Sequence, residues 1–498
     1  MISIDWQAVG AGYPDGFHDE DELLVILTSS KNKDLPAWVE QLESEKLAVL
    51  EQRCEYLVAH CGLHGETRKP FTIIKWSNVH DNPLERRLIL SKLIRKVRAQ
   101  FEAVQSIKVI LPGSKVDLEM IVMAEDINTY FAGHSFQDRK LKSLSTAVES
   151  LELIKQSDKQ QETRFNHNLA YRYWINENPD ERTSIKIGQD LETFARKHNC
   201  DFTALDEKEL SEKGLNLLVA VGAASSLSPS RLFIVTHNVS DNSKPLLLVG
   251  KGITFDTGGI NVKPYESYVN CMRNDMGGSA LMAQLFMALV EAGYDEPLAL
   301  AIPACENLVA EKAMKPGAIY QSHRGHSVVV DHTDAEGRLI LADAISYAES
   351  LLSPNCIMTA ATLTTAALRQ FTGYQTPVYF APKSFHQALD QQAQNYGEAF
   401  LYFDRFLPFR WANRGKFSDL TNMGRLPAQA NIGGGSNIAA HFLAEFCDAP
   451  FIHFDIFAST WNWSGDYPGS TGGATGAAFN SLFACLMENR QAQLFNRI

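Results

Sequence analysis

The segment DHTDAEGRLILADAIS, Asp331 to Ser346, constrains this chain more than any other stretch. An apolar run, Val328 to Val330, leads into Asp334, Glu336 and Arg338 within five residues, and a helical pattern follows. The pattern predicts a strand, a charged turn and a helix. Two carboxylates and a guanidinium at the mouth of a strand are costly to bury without partners. Metal ions or an anionic substrate group supply such partners, so other charged groups are expected to converge on this turn.

A second polar constellation lies upstream in LLLVGKGITFDTGGINVKPYESYVNCMRNDMGGSALM, Leu246 to Met282. Leu246 to Val249 reads as a buried strand ending at Gly250, Lys251 and Gly252. Asp256 precedes the pair Gly258-Gly259, Lys263 follows, and Asp275 precedes Gly277-Gly278. Asp256, Asp275, Asp334 and Glu336 thus offer four oxygen donors from element ends. Two divalent ions about 3.5 to 4 Å apart need several such carboxylates, at least one of them bridging. Histidine is not required, in keeping with the missing zinc spacings.

Plainer readings exist for each residue. Asp334 and Glu336 can be solvated groups favouring a positive helix N-terminus. Lys251 can be a turn lysine, Lys263 a solvent-exposed one, and Arg338 a partner of Glu349. The glycine-rich turn has neither G-x-x-x-x-G-K-[ST] nor G-x-G-x-x-G form, which argues against nucleotide binding. His323, His326 and His332 cluster in sequence, but their spacing across a strand does not resemble a compact zinc site. His453 and Asp455, two apart in HFDIF, share one face of a strand and read as a structural polar pair. Cys271 beside Met272 is a conceivable thiol nucleophile with no histidine partner assignable from sequence.

The motifs resemble those of the leucyl aminopeptidase family, the di-metal exopeptidases also called M17 peptidases. The residues that carry the resemblance are His332-Thr333-Asp334-Ala335-Glu336-Gly337-Arg338-Leu339, VGKGITFDTGG (Val249 to Gly259), Lys263-Pro264 and Met272-Arg273-Asn274-Asp275-Met276. ATLT at Ala361 to Thr364, GGGSNIAAHFL at Gly433 to Leu443 and HFDIFASTW at His453 to Trp461 extend it over roughly Leu215 to Trp461. The resemblance implies that Asp256 and Glu336 bridge two ions, that Asp334 serves the more exchangeable one, and that Lys251 and Asp275 complete the other. A ligating lysine must be neutral, so Lys251 is expected to have a strongly lowered pKa. Lys263 would steady the substrate's carbonyl oxygen, and Arg338 would hold a bicarbonate ion that moves protons. Met272, Thr362 and Thr365 would border the pocket for the first side chain.

What the resemblance implies for function is removal of N-terminal residues, Leu- or Met-like ones, from short peptides by metal-activated water. Mn or Zn is the expected metal, with Mg or Co compatible with oxygen donors plus one amine. A homohexamer enclosing its active sites is expected. Three departures stand out: His332 replaces the family's asparagine, Thr365 replaces a small residue after ATLT, and the interval from Lys263 to Asp275 is one residue longer than the family's commonest form. They put the leucine preference, the rate and the favoured metal in question, but remove no expected ligand. The alternatives are another two-metal hydrolase, such as a phosphoesterase, or a non-catalytic DNA-binding or scaffold relative.

Composition agrees with an enzyme of this kind. At 498 residues the chain is long enough for two or more domains, with 45% hydrophobic and 21% charged residues. A net charge of −12 argues against nucleic acid as a partner. Eight cysteines without C-x-x-C spacing read as free thiols, and the first residues, MISIDWQAVG, show no signal-peptide pattern. No apolar run is long enough to span a membrane. The expected location is the cytoplasm.

The expected fold class is α/β with two domains. Residues 1–155 form a smaller α/β domain, with strands at Leu23 to Thr28, Phe71 to Lys75 and Ile107 to Leu111, and a helix at Leu88 to Phe101. Leu118 to Ala124 adds another element and Leu141 to Gln156 a helix. Residues 156–165 form a linker, and 166–498 a catalytic domain with a mostly parallel or mixed sheet flanked by helices. Its strands are expected at Leu232 to Val235, Leu246 to Val249, Leu298 to Ile302, Ser327 to Val330 and Ile357 to Thr362. Its helices are expected at Ser279 to Ala292 and Leu339 to Ser350.

Overall fold

Residues Leu246 to Val249 are apolar without alternation, as a strand buried on both faces requires, and all four are fully buried. The computed structural model describes residues 2–4, 22–29, 56–64, 69–76 and 106–110, then 159–424, 434–463 and 473–495. Two compact units emerge: Met1–Glu162 with Gln394–Gly397 and Gly465–Gly472, and Thr163–Ala393 with Glu398–Ser464 and Gly473–Ile498.

In the first unit, β1 (Ile2–Ile4), β2 (Glu22–Ser29), β3 (Tyr56–His64), β4 (Lys69–Trp76) and β5 (Ser106–Ile110) form a sheet ordered β1-β5-β2-β4-β3. Its pairs are parallel except β3 with β4. The helices expected at Leu88 to Phe101 and Leu141 to Gln156, and the element at Leu118 to Ala124, lie outside the described residues.

The second unit begins within the helix Lys159–Asn176, so residues 159–165 of the polar stretch are helical. Its strands are β6 (Asp201–Leu205), β7 (Arg231–His237), β8 (Leu246–Gly250), β9 (Gly252–Asp256), β10 (Leu298–Asn307), β11 (Ile319–Gln321), β12 (Ser327–Val329), β13 (Cys356–Ala361), β14 (Thr376–Tyr379), β15 (Phe400–Phe403), β16 (Leu420–Thr421) and β17 (Phe451–Asp455). Nine form a mixed sheet ordered β15-β14-β17-β13-β8-β10-β7-β6, with β9 continuing alongside β10. The central pairs β17/β13, β13/β8 and β8/β10 are parallel. Alternate residues of these strands enter two different cores. Leu246, Leu248, Leu300 and Met358 join one with the helix Gly277–Glu291, while Leu247, Val249, Ala301 and Ile357 join the other with the helix Gly337–Leu352. Burying a leucine fully contributes about 2 kcal/mol, so each face anchors its helix strongly. This is the expected α/β architecture.

One expectation fails. Ser327 to Val330 does not extend the main sheet: β12 pairs β11 antiparallel and β16 parallel in a separate three-stranded sheet. Its burial explains why. Val328 is buried in a core while Ser327 and Val329 are only half-buried, the pattern of a strand covered on one face. Among the described residues, no helix is long and apolar enough to cross a membrane.

Candidate metal centre

The central sheet breaks between β8 and β9, and Lys251 occupies the break. Its N–H donates to Ala360 O at 3.1 Å and its carbonyl accepts from Ser279 N at 2.7 Å, so neighbouring elements fix its backbone. That approach depends on glycine: a Cβ on Gly278 would lie 2.1 Å from Ala360 O and 2.8 Å from Lys251 N. Asp256 ends β9, Asp275 is the last but one residue of a 3-10 segment ahead of the helix at Gly277, and Thr362 follows β13. Glu336 occupies the N-cap position of the helix Gly337–Leu352, and Arg338 lies in its first turn. Most of these groups collect at the carboxyl ends of parallel strands, where open α/β sheets gather ligands.

Four carboxylates meet two lysines there. Lys251 Nζ lies 2.7 Å from Asp275 Oδ2 and 2.9 Å from Glu336 Oε1, and donates to Thr362 O at 3.1 Å. Lys263 Nζ is 2.8 Å from Asp256 Oδ2 and also pairs with Asp334. One oxygen from each of Asp256, Asp334 and Glu336 falls within 4.8 Å of the others. At an effective dielectric of 20, two like charges about 4 Å apart repel by about 4 kcal/mol, and two lysines neutralise only half of the charge of four carboxylates.

The pKa directions follow. Burial raises Asp334, Asp256 and Asp275; Asp334 is pushed up to about 7, with Asp256 adding to burial and Lys263 opposing. For Glu336, burial acts upward but Lys251 and Lys263 outweigh it, so its pKa falls. Lys251 differs from the sequence expectation. Burial acts to lower it, but Asp275, Glu336 and Asp256 together raise it above the usual lysine value. With only protein groups around it, this ammonium is a counter-ion to three carboxylates, whereas a lowered pKa requires other cations in its place.

The donor set fits divalent metal. Among the described residues, Glu336 Oε2 is buried with no hydrogen-bond partner, and Asp275 Oδ2 and Asp334 Oδ1 lack aligned hydrogen bonds despite the adjacent lysines. Buried carboxylate oxygens of this kind otherwise carry a full desolvation cost. The structure brings Lys251, Asp256, Lys263, Met272, Asp275, Asp334, Glu336, Arg338, Thr362 and Thr365 to the lining of one cavity of about 640 Å³. Arg338 is buried, and its Nε has no hydrogen-bond partner among the described residues.

Several positioning residues were not singled out from the sequence. Asn307, at the end of β10, donates to Asp256 Oδ1 at 2.8 Å and to Thr333 O at 3.1 Å. Asn261 Oδ1 accepts from Thr333 N, and Thr333 Oγ1 donates to Gly258 O, which straps the two acidic loops together. Asn422 clamps the 331–335 turn through Asp331 N, His332 O and Ala335 O. Polar residues closing otherwise apolar strands, as Asn307 does, were the available signal.

Among the described residues, histidines fall outside the acid cluster. His323 contacts Asp343 and Ser346, and among the described residues neither it nor His326 belongs to a metal-ligating group. His332 lines the cavity, and its Nδ1 accepts from Asp334 N at 3.2 Å. His453 meets Thr359 Oγ1 at 2.8 Å, while Asp455 accepts from Leu363 N, Thr364 Oγ1, Ser436 Oγ and Phe457 N. They are not bonded to each other; each fastens neighbouring segments. Burial raises the Cys271 thiol pKa, which disfavours a thiolate.

Residues 169–483 match the model of the cytosol aminopeptidase family, catalytic domain. A probable cytosol aminopeptidase of Synechococcus sp. (strain WH7803) is 33% identical over 302 residues, 59% of each chain. One from Fusobacterium nucleatum subsp. nucleatum is 30% identical over 320 residues, 64% of this chain and 65% of its own. The chain therefore covers less than two thirds of those relatives' length. A solved structure, the bottromycin maturation enzyme BotP in complex with Mn, superposes with a TM-score of 0.72 at 21% identity, covering 94% of this chain and 99% of that one.

Proposed function

The chain belongs to the cytosol aminopeptidase family, and from that premise we propose that it is a metal-dependent aminopeptidase acting on short peptides with a free N-terminus. The observation that carries the reading is the convergence of Asp256, Asp334 and Glu336, with Asp275 and Lys251 beside them and a buried Glu336 oxygen unpartnered. In this reading Asp256 and Glu336 would serve both ions, Asp334 one of them, and Asp275 with Lys251 the other. Such a pair supplies a nucleophile from water at neutral pH and Lewis acidity toward a carbonyl. Mn or Zn suits the donors, and the related fold of BotP was solved with Mn.

The remaining roles belong to the protein. Lys263 is held charged, its pKa raised by Asp256, Asp334 and Glu336 against the effect of burial. A fixed cation facing the carbonyl stabilises the oxyanion as it develops, where preorganised charge is worth most. Arg338, beside the cluster, would cradle a bicarbonate ion able to carry a proton to the leaving amine. Met272, buried at the cavity wall, together with Thr362 and Thr365, would border the first side chain. An apolar wall of this kind favours Leu- or Met-like residues, though one methylene is worth only about 1 to 3 kcal/mol. A hexamer is part of the same reading and is checked by light scattering.

The test is hydrolysis of leucine and methionine amides and p-nitroanilides beside a phosphate ester, with and without chelator. Release of the N-terminal residue that ceases on chelation and returns with Mn or Zn supports the proposal. Phosphate-ester cleavage alone, or chelator-resistant peptide cleavage, contradicts it.

A further inference from the structure

The carboxylates lining the cavity, among the described residues, are the four of the acid cluster. Outside that cluster the charged lining groups are two arginines, Arg338 and Arg369. Arg338 is buried, whereas Arg369 is exposed. Among the described residues no ion pair reaches Arg369, so its charge is free to meet a ligand.

Arg369 lies on the short helix Thr365–Phe371, one turn after Thr365. Residues four apart share a helix face, and Thr365, Ala366, Arg369 and Gln370 all line the cavity. The cavity-lining residues of this helix therefore include a planar guanidinium and an amide, with no carboxylate. A guanidinium fork matches a carboxylate with two parallel N–H···O bonds, a geometry neither a neutral group nor an ammonium reproduces. We infer that Arg369 is a specificity-determining residue that favours peptides carrying a carboxylate, either an acidic side chain or the free C-terminus of a very short peptide. This rests on the aminopeptidase reading and names a substrate class for the same cavity.

The experiment uses the full-length, metal-loaded enzyme and three matched substrate pairs: Leu-Ala against Leu-Ala-amide, Leu-Glu-amide against Leu-Gln-amide, and Glu-Ala-amide against Gln-Ala-amide. The first pair reads a terminal carboxylate, the second an acidic second residue and the third an acidic first residue. The expected result is that Arg369→Ala lowers kcat/KM about tenfold, mainly through KM, for the carboxylate member of at least one pair. Neutral members should change less than about twofold on this scale. Arg369→Lys should recover part of the loss, and Arg369→Glu should reverse the preference.

Equal changes for both members of every pair, or no change, overturn the inference. A loss of folding stability without any change in selectivity also overturns it, because Arg369 then serves only the carboxyl end of its own helix. The neutral substrates separate the two levels of the argument. If the wild-type enzyme cleaves none of them, the aminopeptidase reading fails and takes this inference with it. If it cleaves them without Arg369-dependent selectivity, only the inference fails.

Discussion

Replacing Gly337 with alanine drives a methyl group into the lysine at the heart of the centre. The new Cβ would lie 2.3 Å from Lys251 Cε, 2.6 Å from its Nζ and 2.7 Å from its Cδ. Ordinary contact begins near 3.4 Å, so the lysine must retreat by about 1 Å in a close-packed interior. Its ammonium is held at 2.7 Å by Asp275 and 2.9 Å by Glu336, and a shift of that size breaks at least one of these contacts. A charge-assisted hydrogen bond is worth about 1.5 to 3 kcal/mol, while alanine recovers about 1 kcal/mol of helix propensity. Gly337 begins a helix and is not among the positive-φ glycines, so backbone strain does not enter. The net expectation is a loss of about 0.5 to 2 kcal/mol in stability, accompanied by a much larger loss of turnover. Urea unfolding and leucine-amide hydrolysis on the same preparation read both. Wild-type stability together with wild-type turnover would refute the claim that Lys251 is pinned where the site needs it.

Three further outcomes are expected. Arg338→Ala should slow turnover while leaving metal content near the wild-type value, since Arg338 stands outside the carboxylate set; unchanged kcat would remove its anion-holding role. Asn307→Ala should weaken metal binding by about tenfold to a hundredfold, because it removes the amide that orients Asp256; titration with Mn measures it, and unchanged affinity would show that Asp256 needs no such support. Glu291 governs an acid response far from the site. Its hydrogen bond with His167, helped by the charges of Lys197 and His198, lowers its pKa to about 2 from 4.5. A depressed folded value means that its contribution is complete above about pH 4.5 and is lost as pH falls toward 2. Glu291→Gln should therefore flatten the stability–pH curve between pH 5 and 2, and parallel urea midpoints for the two proteins in that range would contradict the assignment.

The larger unit of the fold was legible because its signals are local. Leu246 to Val249 carries an uninterrupted apolar run and Ile357 to Ala361 one broken only by Thr359, and the acidic turns end or follow such runs. The helix Gly277–Glu291 has all but its last residue buried, so its apolar sequence admits few other placements. β12 was misassigned because three apolar residues look alike in a central strand and in a small one-sided sheet. Only its half-buried Ser327 and Val329 separate the two cases, and burial is not written in a triplet. Asn307, Asn261 and Asn422 escaped notice for a related reason. Their roles lie in amide contacts to segments as much as 91 residues away, and no spacing rule connects them. The lowered Lys251 pKa expected from the sequence follows from the need for a neutral ligating amine, with burial and nearby cations both acting in that direction. The direction found reflects the carboxylates that surround it. Arg369 and its unpaired charge became visible only once the helix that carries it faced the cavity.

Counting metal ions on protein purified without added metal tests the central claim most directly. Elemental analysis alongside protein concentration should give about two divalent ions per wild-type chain. Asp334→Ala or Glu336→Ala should lower that number and abolish hydrolysis. A wild-type protein that holds no divalent ion after incubation with Mn or Zn, yet cleaves peptides at full rate in chelator, would contradict the account.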